Sequence, residues 1–167
     1  KAYIPKRKSF LFLSLIKKDN FELVVQKAVE CGVTDIVPII AERTEKKNLD
    51  FRRLHTISIE ASEQSGRGDI LTIHETVSLQ EAFTFLKEKA IPEKGTYITT
   101  LEGTPIASLF ESTRESSSSP VAFFVGPEGG WSTEEEAFFK ETPYCKISFG
   151  ETVLRAETAG ITCGLLS

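Results

Sequence analysis

Two glycine-bearing segments in the C-terminal half each join a strand end to a helix start. The apolar run Val121–Val125 leads into Gly126-Pro127-Glu128-Gly129-Gly130-Trp131. Ser132-Thr133-Glu134-Glu135 then reads as a capping box that opens a helix through Lys140. A strand, a glycine turn and a helix start together present backbone N–H groups to a ligand. The spacing is neither GxGxxG nor GxxxxGKS/T, and the loop holds no lysine. Glu134, Glu135 and Glu136 crowd the helix start, where they complement its dipole and repel phosphate. A nucleoside triphosphate or a dinucleotide is therefore a poor ligand here. A ligand with positive charge and no phosphate fits better, and S-adenosylmethionine, a sulfonium, is of that kind.

The second segment begins at Ile147-Ser148-Phe149-Gly150 and continues through Val153, Leu154, Arg155, Thr158 and Ala159. Leu101-Glu102-Gly103 follows a third strand-like run. Ligands of open α/β sheets bind at the carboxyl ends of strands. The predicted cofactor pocket is therefore built from Leu101, Glu102 and Gly103; from Val125, Gly126, Pro127, Glu128, Gly129 and Gly130; and from Ile147, Ser148, Phe149, Gly150, Val153, Leu154, Thr158 and Ala159.

The elements needed to carry these loops are legible. Strands are predicted at residues 9–16, 35–40, 70–73, 96–101, 121–125 and 145–149. Helices are predicted from Asp19 or Asn20 to Cys31, over 51–64, from Leu79 to before Pro92, over a short stretch at 106–110, over 132–140 and over 155–166. Ser78 is the predicted cap of the third and Gly32 the stop of the first. Pro38 argues that its strand lies at an edge or carries a bulge. Residues 115–120 read as a serine-rich loop. Alternation of strands and helices gives an α/β fold with a mostly parallel sheet.

At 167 residues and 26% charged residues the chain suits one globular domain. No apolar run approaches the roughly 20 residues of a membrane span, so no membrane is involved and the cytoplasm is the default location. Cys31, Cys145 and Cys163 are few, odd in number and far apart, which fits small buried hydrophobes better than disulfides or a metal site. Net charge is −4, but residues 1–67 hold 13 basic against 9 acidic side chains, so the first part alone offers a basic face to an anion. The chain contains no methionine, and its first residue is read as lying downstream of the natural start.

The motifs GPEGGWSTEE (residues 126–135) and FGETVLRAETA (149–159) resemble the paired signatures of the ribosomal RNA small subunit methyltransferase E family, in the SPOUT superfamily. FELVVQKAVECGVTDIVPIIAERTE (21–45) and EASEQSGR (60–67) match it too, in the same order. The resemblance implies a SPOUT methyltransferase domain over residues 9–167, with residues 1–8 the trace of an N-terminal RNA-binding domain. It implies a C-terminal deep trefoil knot, S-adenosylmethionine as cofactor, a homodimer and no metal. The implied reaction is methylation of N3 of a uridine in 16S ribosomal RNA, on free RNA or the 30S subunit. A knotted methyltransferase of transfer RNA and a non-catalytic RNA-binding domain are the alternatives. Trp131 stands where the family commonly has phenylalanine, and Ala156 where it commonly has threonine; the first looks neutral.

Uracil N3 is a poor nucleophile until its proton is lost, so a fixed cation near O2 or O4 would favour the anion. Arginine suits this better than lysine, being planar and always charged. Arg67, after the break at Gly66, is the first catalytic candidate and Arg155 the second. Arg155 either pairs with Glu157 or Glu128 or reaches the RNA. Arg43, Gln64 and Arg67 are the candidate substrate-binding residues. Glu128 and Glu157 are read as bases or as acceptors for loop backbone, and His55 and His74 as packing or surface residues.

Overall fold

Runs rich in branched and aromatic residues give buried parallel strands, and seven strands build the sheet. The computed structural model describes residues 2–45, 48–108 and 118–167. In chain order the elements are β1 (Ser9–Ser14), α1 (Lys18–Cys31), β2 (Asp35–Ile40), α2 (Phe51–Ser65), β3 (Thr72–Ile73), β4 (Val77–Ser78), α3 (Leu79–Glu88), β5 (Thr96–Pro105), β6 (Val121–Val125), α4 (Thr133–Glu141), β7 (Cys145–Ser148) and α5 (Ala156–Leu165). The sheet order is β3-β2-β1-β6-β5-β7, with β4 also on β2. Every pairing is parallel.

Both faces of the sheet are covered. Leu11 and Leu13 of β1 pack with Val24, Val25 and Ala28 of α1, Leu54 and Ile57 of α2, and Ala159 and Cys163 of α5. Phe12 and Phe124 lie on the other face with Phe83 of α3 and Phe139 of α4. The Phe12 and Phe124 rings stack at 4.3 Å between centroids, and Phe83 stacks on Phe124 at 5.1 Å. The alternation of side chains along β1 and β6 decides which layer each residue serves.

Predicted caps at Ser78 and Ser132 both form complete capping boxes, with Glu81 and Glu135. Helix α1 differs: Lys17 is its cap residue and makes no side-chain cap bond, while Asp19 lies inside the first turn. Pro38 lies on an interior strand, not at an edge. It pairs with Leu13 of β1, and on its other side the neighbour is broken between β3 and β4. That interruption falls opposite Val37 and Pro38, which is how the sheet accommodates a residue without an N–H. Residues 106–108 are helical, while the rest of the predicted short helix and residues 115–117 lie outside the described residues.

Strand β5 runs four residues beyond its predicted end, and its pairing to β7 slips: Ile147 faces both Thr99 and Thr104. Residues 100–103 bulge out between these partners. The Gly103 backbone lies so close to Ile147 that a Cβ there would collide with the Ile147 main chain. Glycine at 103 is thus a requirement of the strand crossing.

Candidate active site

The carboxyl ends of β5, β6 and β7 open onto one cavity of about 710 Å³. Its wall is made of Thr99, Thr100 and Leu101 from β5, Val125 to Trp131 after β6, and Ser148 to Gly150 with Thr152 to Glu157 after β7. Ala159 of α5 and Lys17 and Asn20 at the start of α1 complete it, with Arg43 and Glu45 from the loop after β2. A pocket of this size suits a small organic ligand. All three predicted loops therefore meet at the sheet edge where an α/β ligand site belongs.

Local chemistry fixes the loop after β6. A Cβ at Gly126 would stand 3.0 Å from the Trp131 indole, a tight contact, so glycine lets the indole fold back over the loop without having to shift. Trp131 Nε1 then donates to the Thr99 carbonyl at 2.7 Å. Thr99 Oγ1 in turn donates to the Phe124 carbonyl at 2.9 Å. Trp131 is therefore not neutral: phenylalanine has no donor to tie this loop to β5. Left-handed backbone falls at Gly130 (φ 72°) and Gly150 (φ 109°) and not at Gly129, where an added Cβ would meet Arg43 at an ordinary 3.5 Å.

Charge around the cavity is mixed. Lys17, Arg43 and Arg155 supply cations, and Glu45, Glu128, Glu136 and Glu157 supply carboxylates. Arg43 Nη1 donates to the Gly129 carbonyl at 3.2 Å. Arg155 approaches Glu157 Oε1 only to 4.0 Å, and its side chain is 86% exposed. Such a pair contributes little and leaves the guanidinium free to meet a ligand.

The sequence matches an RNA methyltransferase domain over residues 4–166. The chain belongs to the RNA methyltransferase domain family. This domain is 33% identical over 163 residues to ribosomal RNA small subunit methyltransferase E of Rickettsia conorii, an alignment covering 95% of the chain and 64% of that protein. It is 30% identical to the same-named protein of Helicobacter pylori strain J99, covering 93% of the chain and 64% of the relative. The crystal structure of the Neisseria gonorrhoeae enzyme of that name, bound to S-adenosyl methionine, superposes with a TM-score of 0.79 at 30% identity. That superposition covers 96% of this chain and 65% of the other. The domain thus spans just under two thirds of the length of these relatives.

Several expected residues fall outside the cavity wall of the methyltransferase domain. Glu102 is exposed, and Gly103 and Ile147 are consumed in the β5–β7 crossing. Ser148 does line the cavity, and its Oγ donates to the Gly103 carbonyl at 3.0 Å. Thr158 is exposed on α5, and Gln64 lies in a groove between α1 and α2. Arg67 is the main correction. Its side chain is only 2% exposed. Nε and Nη2 grip the Asp69 carboxylate at 2.7 and 3.1 Å, and Nη1 donates to the Val29 carbonyl at 3.1 Å. The expected adjustable reach is absent, because Gly66 caps α2 in the left-handed region and turns Arg67 inward. Conversely, Lys17, Asn20 and Thr99 were missed. The signal was available: Lys17 and Asn20 follow the carboxyl end of β1, the same address that selected the three loops.

Proposed function

We propose that this domain methylates N3 of a uridine in 16S ribosomal RNA, with S-adenosylmethionine as donor, working in the cytoplasm on the RNA or the 30S subunit. The observation that carries this is the convergence of three strand-end loops on one cavity in a member of the RNA methyltransferase domain family. Similar proteins bear the methyltransferase E name, and one is bound to S-adenosyl methionine.

The residues fit that group. The cavity wall is largely built from the glycine-bearing 125–131 and 148–154 segments, whose loop backbone suits an adenine's hydrogen-bonding edge, and Trp131 is part of it. Four carboxylates suit a sulfonium better than a phosphate. When bound, the donor supplies an electrophilic methyl group. The chain's share is to exclude water, orient the base and favour loss of the N3 proton. Arg155, exposed at the mouth, is the cation placed to stabilise negative charge on uracil. Lys17 and Arg43 are suited to hold RNA phosphate. Arg67 has no part in this proposal.

We extend the proposal to topology and assembly. After edge strand β7 the chain returns to pack α5 over α1, with Gly160 facing Val24 and Gly164 facing Cys31. That return, together with the tight β5–β7 crossing, supports a C-terminal trefoil knot. Leu101 and Val153, which both line the cavity, are 69% and 74% exposed. Large apolar groups left in solvent side by side on one wall support a homodimer.

The test is transfer of labelled methyl from S-adenosylmethionine to 30S particles and to 16S RNA, followed by mass mapping of the product nucleoside. 3-Methyluridine is the expected product. Methylated transfer RNA with unmodified 16S RNA would replace the substrate assignment, and binding of RNA with no transfer would replace the activity.

A further inference from the structure

The turn after β2 is bolted to the glycine loop after β6, although some 90 residues separate them. Ala41 and Thr44 close the turn: Thr44 N–H donates to the Ala41 carbonyl at 3.0 Å, and Ala41 N–H to Thr44 Oγ1 at 2.9 Å. From this turn three bonds cross. The Glu42 N–H donates to Glu135 Oε1 at 2.8 Å. Ser132 Oγ donates to Glu42 Oε2 at 2.6 Å. Arg43 Nη1 donates to the Gly129 carbonyl at 3.2 Å. The capping box of α4 is shared in this staple, because Glu135 Oε2 accepts the Ser132 N–H at 2.8 Å while Ser132 Oγ accepts the Glu135 N–H at 3.2 Å.

The bonds grip both sides of Gly129-Gly130-Trp131, the strip that lines the cavity. A Gly-Gly pair has little preference of its own for one conformation, so its shape must come from outside. We propose that Glu42 is a positioning residue for the cofactor loop: through Ser132 and Glu135 it holds residues 129–131 in the shape that admits the methyl donor. Glu42 does not itself line the cavity. The hydroxyl-to-carboxylate bond is short and charge-assisted, the stronger kind. The link to the methyl donor rests on the reading under Proposed function; the staple itself rests on the geometry alone.

Trp131 is the only tryptophan of the chain and is 5% exposed, so its fluorescence reports on this loop without any ligand. The experiment compares wild type, Glu42→Ala and Glu42→Gln for acrylamide quenching of Trp131, thermal midpoint and calorimetric affinity for S-adenosylmethionine. Glu42→Ala is expected to raise the quenching and weaken affinity by roughly fivefold to tenfold, the scale of one charge-assisted hydrogen bond lost in part. Glu42→Gln keeps an oxygen that can accept from Ser132, and is expected to restore both to near wild type. A Glu42→Ala protein with a lower thermal midpoint but unchanged quenching and affinity overturns the inference, since Glu42 is then merely structural. Failure of the wild type to bind S-adenosylmethionine overturns the reading under Proposed function, and the staple is then judged by quenching alone.

Discussion

The Arg67 guanidinium commits three hydrogen bonds within its own chain, two to Asp69 and one to the Val29 carbonyl at the end of α1. Arg67→Ala is therefore expected to lower unfolding stability by about 2 kcal/mol, the scale of lost hydrogen bonds to a charged group. The proposed methyl transfer by the folded domain should hardly change in rate. Denaturant titration beside single-turnover methyl transfer checks this; full stability with a rate loss of about 100-fold would return Arg67 to catalysis. Asp35 is a second buried charge with a structural task. Burial alone would push its carboxyl up, but the hydrogen bond with His74 and the charge of Lys8 outweigh that and hold it below the usual carboxylate range. His74 Nε2 is 2.8 Å and Lys8 Nζ 3.3 Å from its oxygens. A lowered folded value means stability that is present above the unfolded carboxylate value, roughly 3.9, and lost as pH falls through the folded one. Asp35→Asn should accordingly destabilise by about 1–2 kcal/mol near neutrality. The difference from wild type should shrink below about pH 4, and stability curves across pH that stay parallel would contradict it.

Among the elements, the glycine loop after β6 puts backbone conformation and close approach on different glycines, Gly130 for the first and Gly126 for the second. Gly130 has left-handed backbone, whereas Gly129 meets nothing closer than Arg43 at 3.5 Å. Gly129→Ala is expected to keep affinity for S-adenosylmethionine within about twofold, while Gly130→Val, forced into a strained region, should weaken it by about tenfold or more. Calorimetry on both variants decides, and the reverse order would mean that the loop changes shape on binding. The strands and most helices were legible because β1, β2 and β6 are unbroken apolar runs and because Ser78 and Ser132 begin complete capping boxes. What was hidden depended on partners distant in sequence. The slip of β5 against Ile147 has no local mark beyond Gly103. The inward turn of Arg67 depends on Asp69 and Val29, and the pairing of Glu42 with Ser132 joins two loops that sequence reading treated separately. Lys17 is hidden for another reason: β1 carries no glycine at its end to mark a ligand loop there.

For the whole molecule, whose net charge is −4, the proposed RNA contact falls to the cations that line the cavity, Lys17, Arg43 and Arg155. The exposed Leu101 and Val153 line the same cavity. If they form a dimer interface, sedimentation should give a dimer for the wild type, and Val153→Glu should shift it toward monomer; a monomeric wild type at micromolar concentration would refute the assembly. The proposed function requires the cavity at the ends of β5, β6 and β7 to be a site for the methyl donor. Isothermal titration of the purified domain with S-adenosylmethionine tests that most directly. Saturable binding, carrying no requirement for metal and lost in Gly130→Val, is the predicted result. Absence of binding by the folded wild-type domain, or equal binding by Gly130→Val, would contradict it.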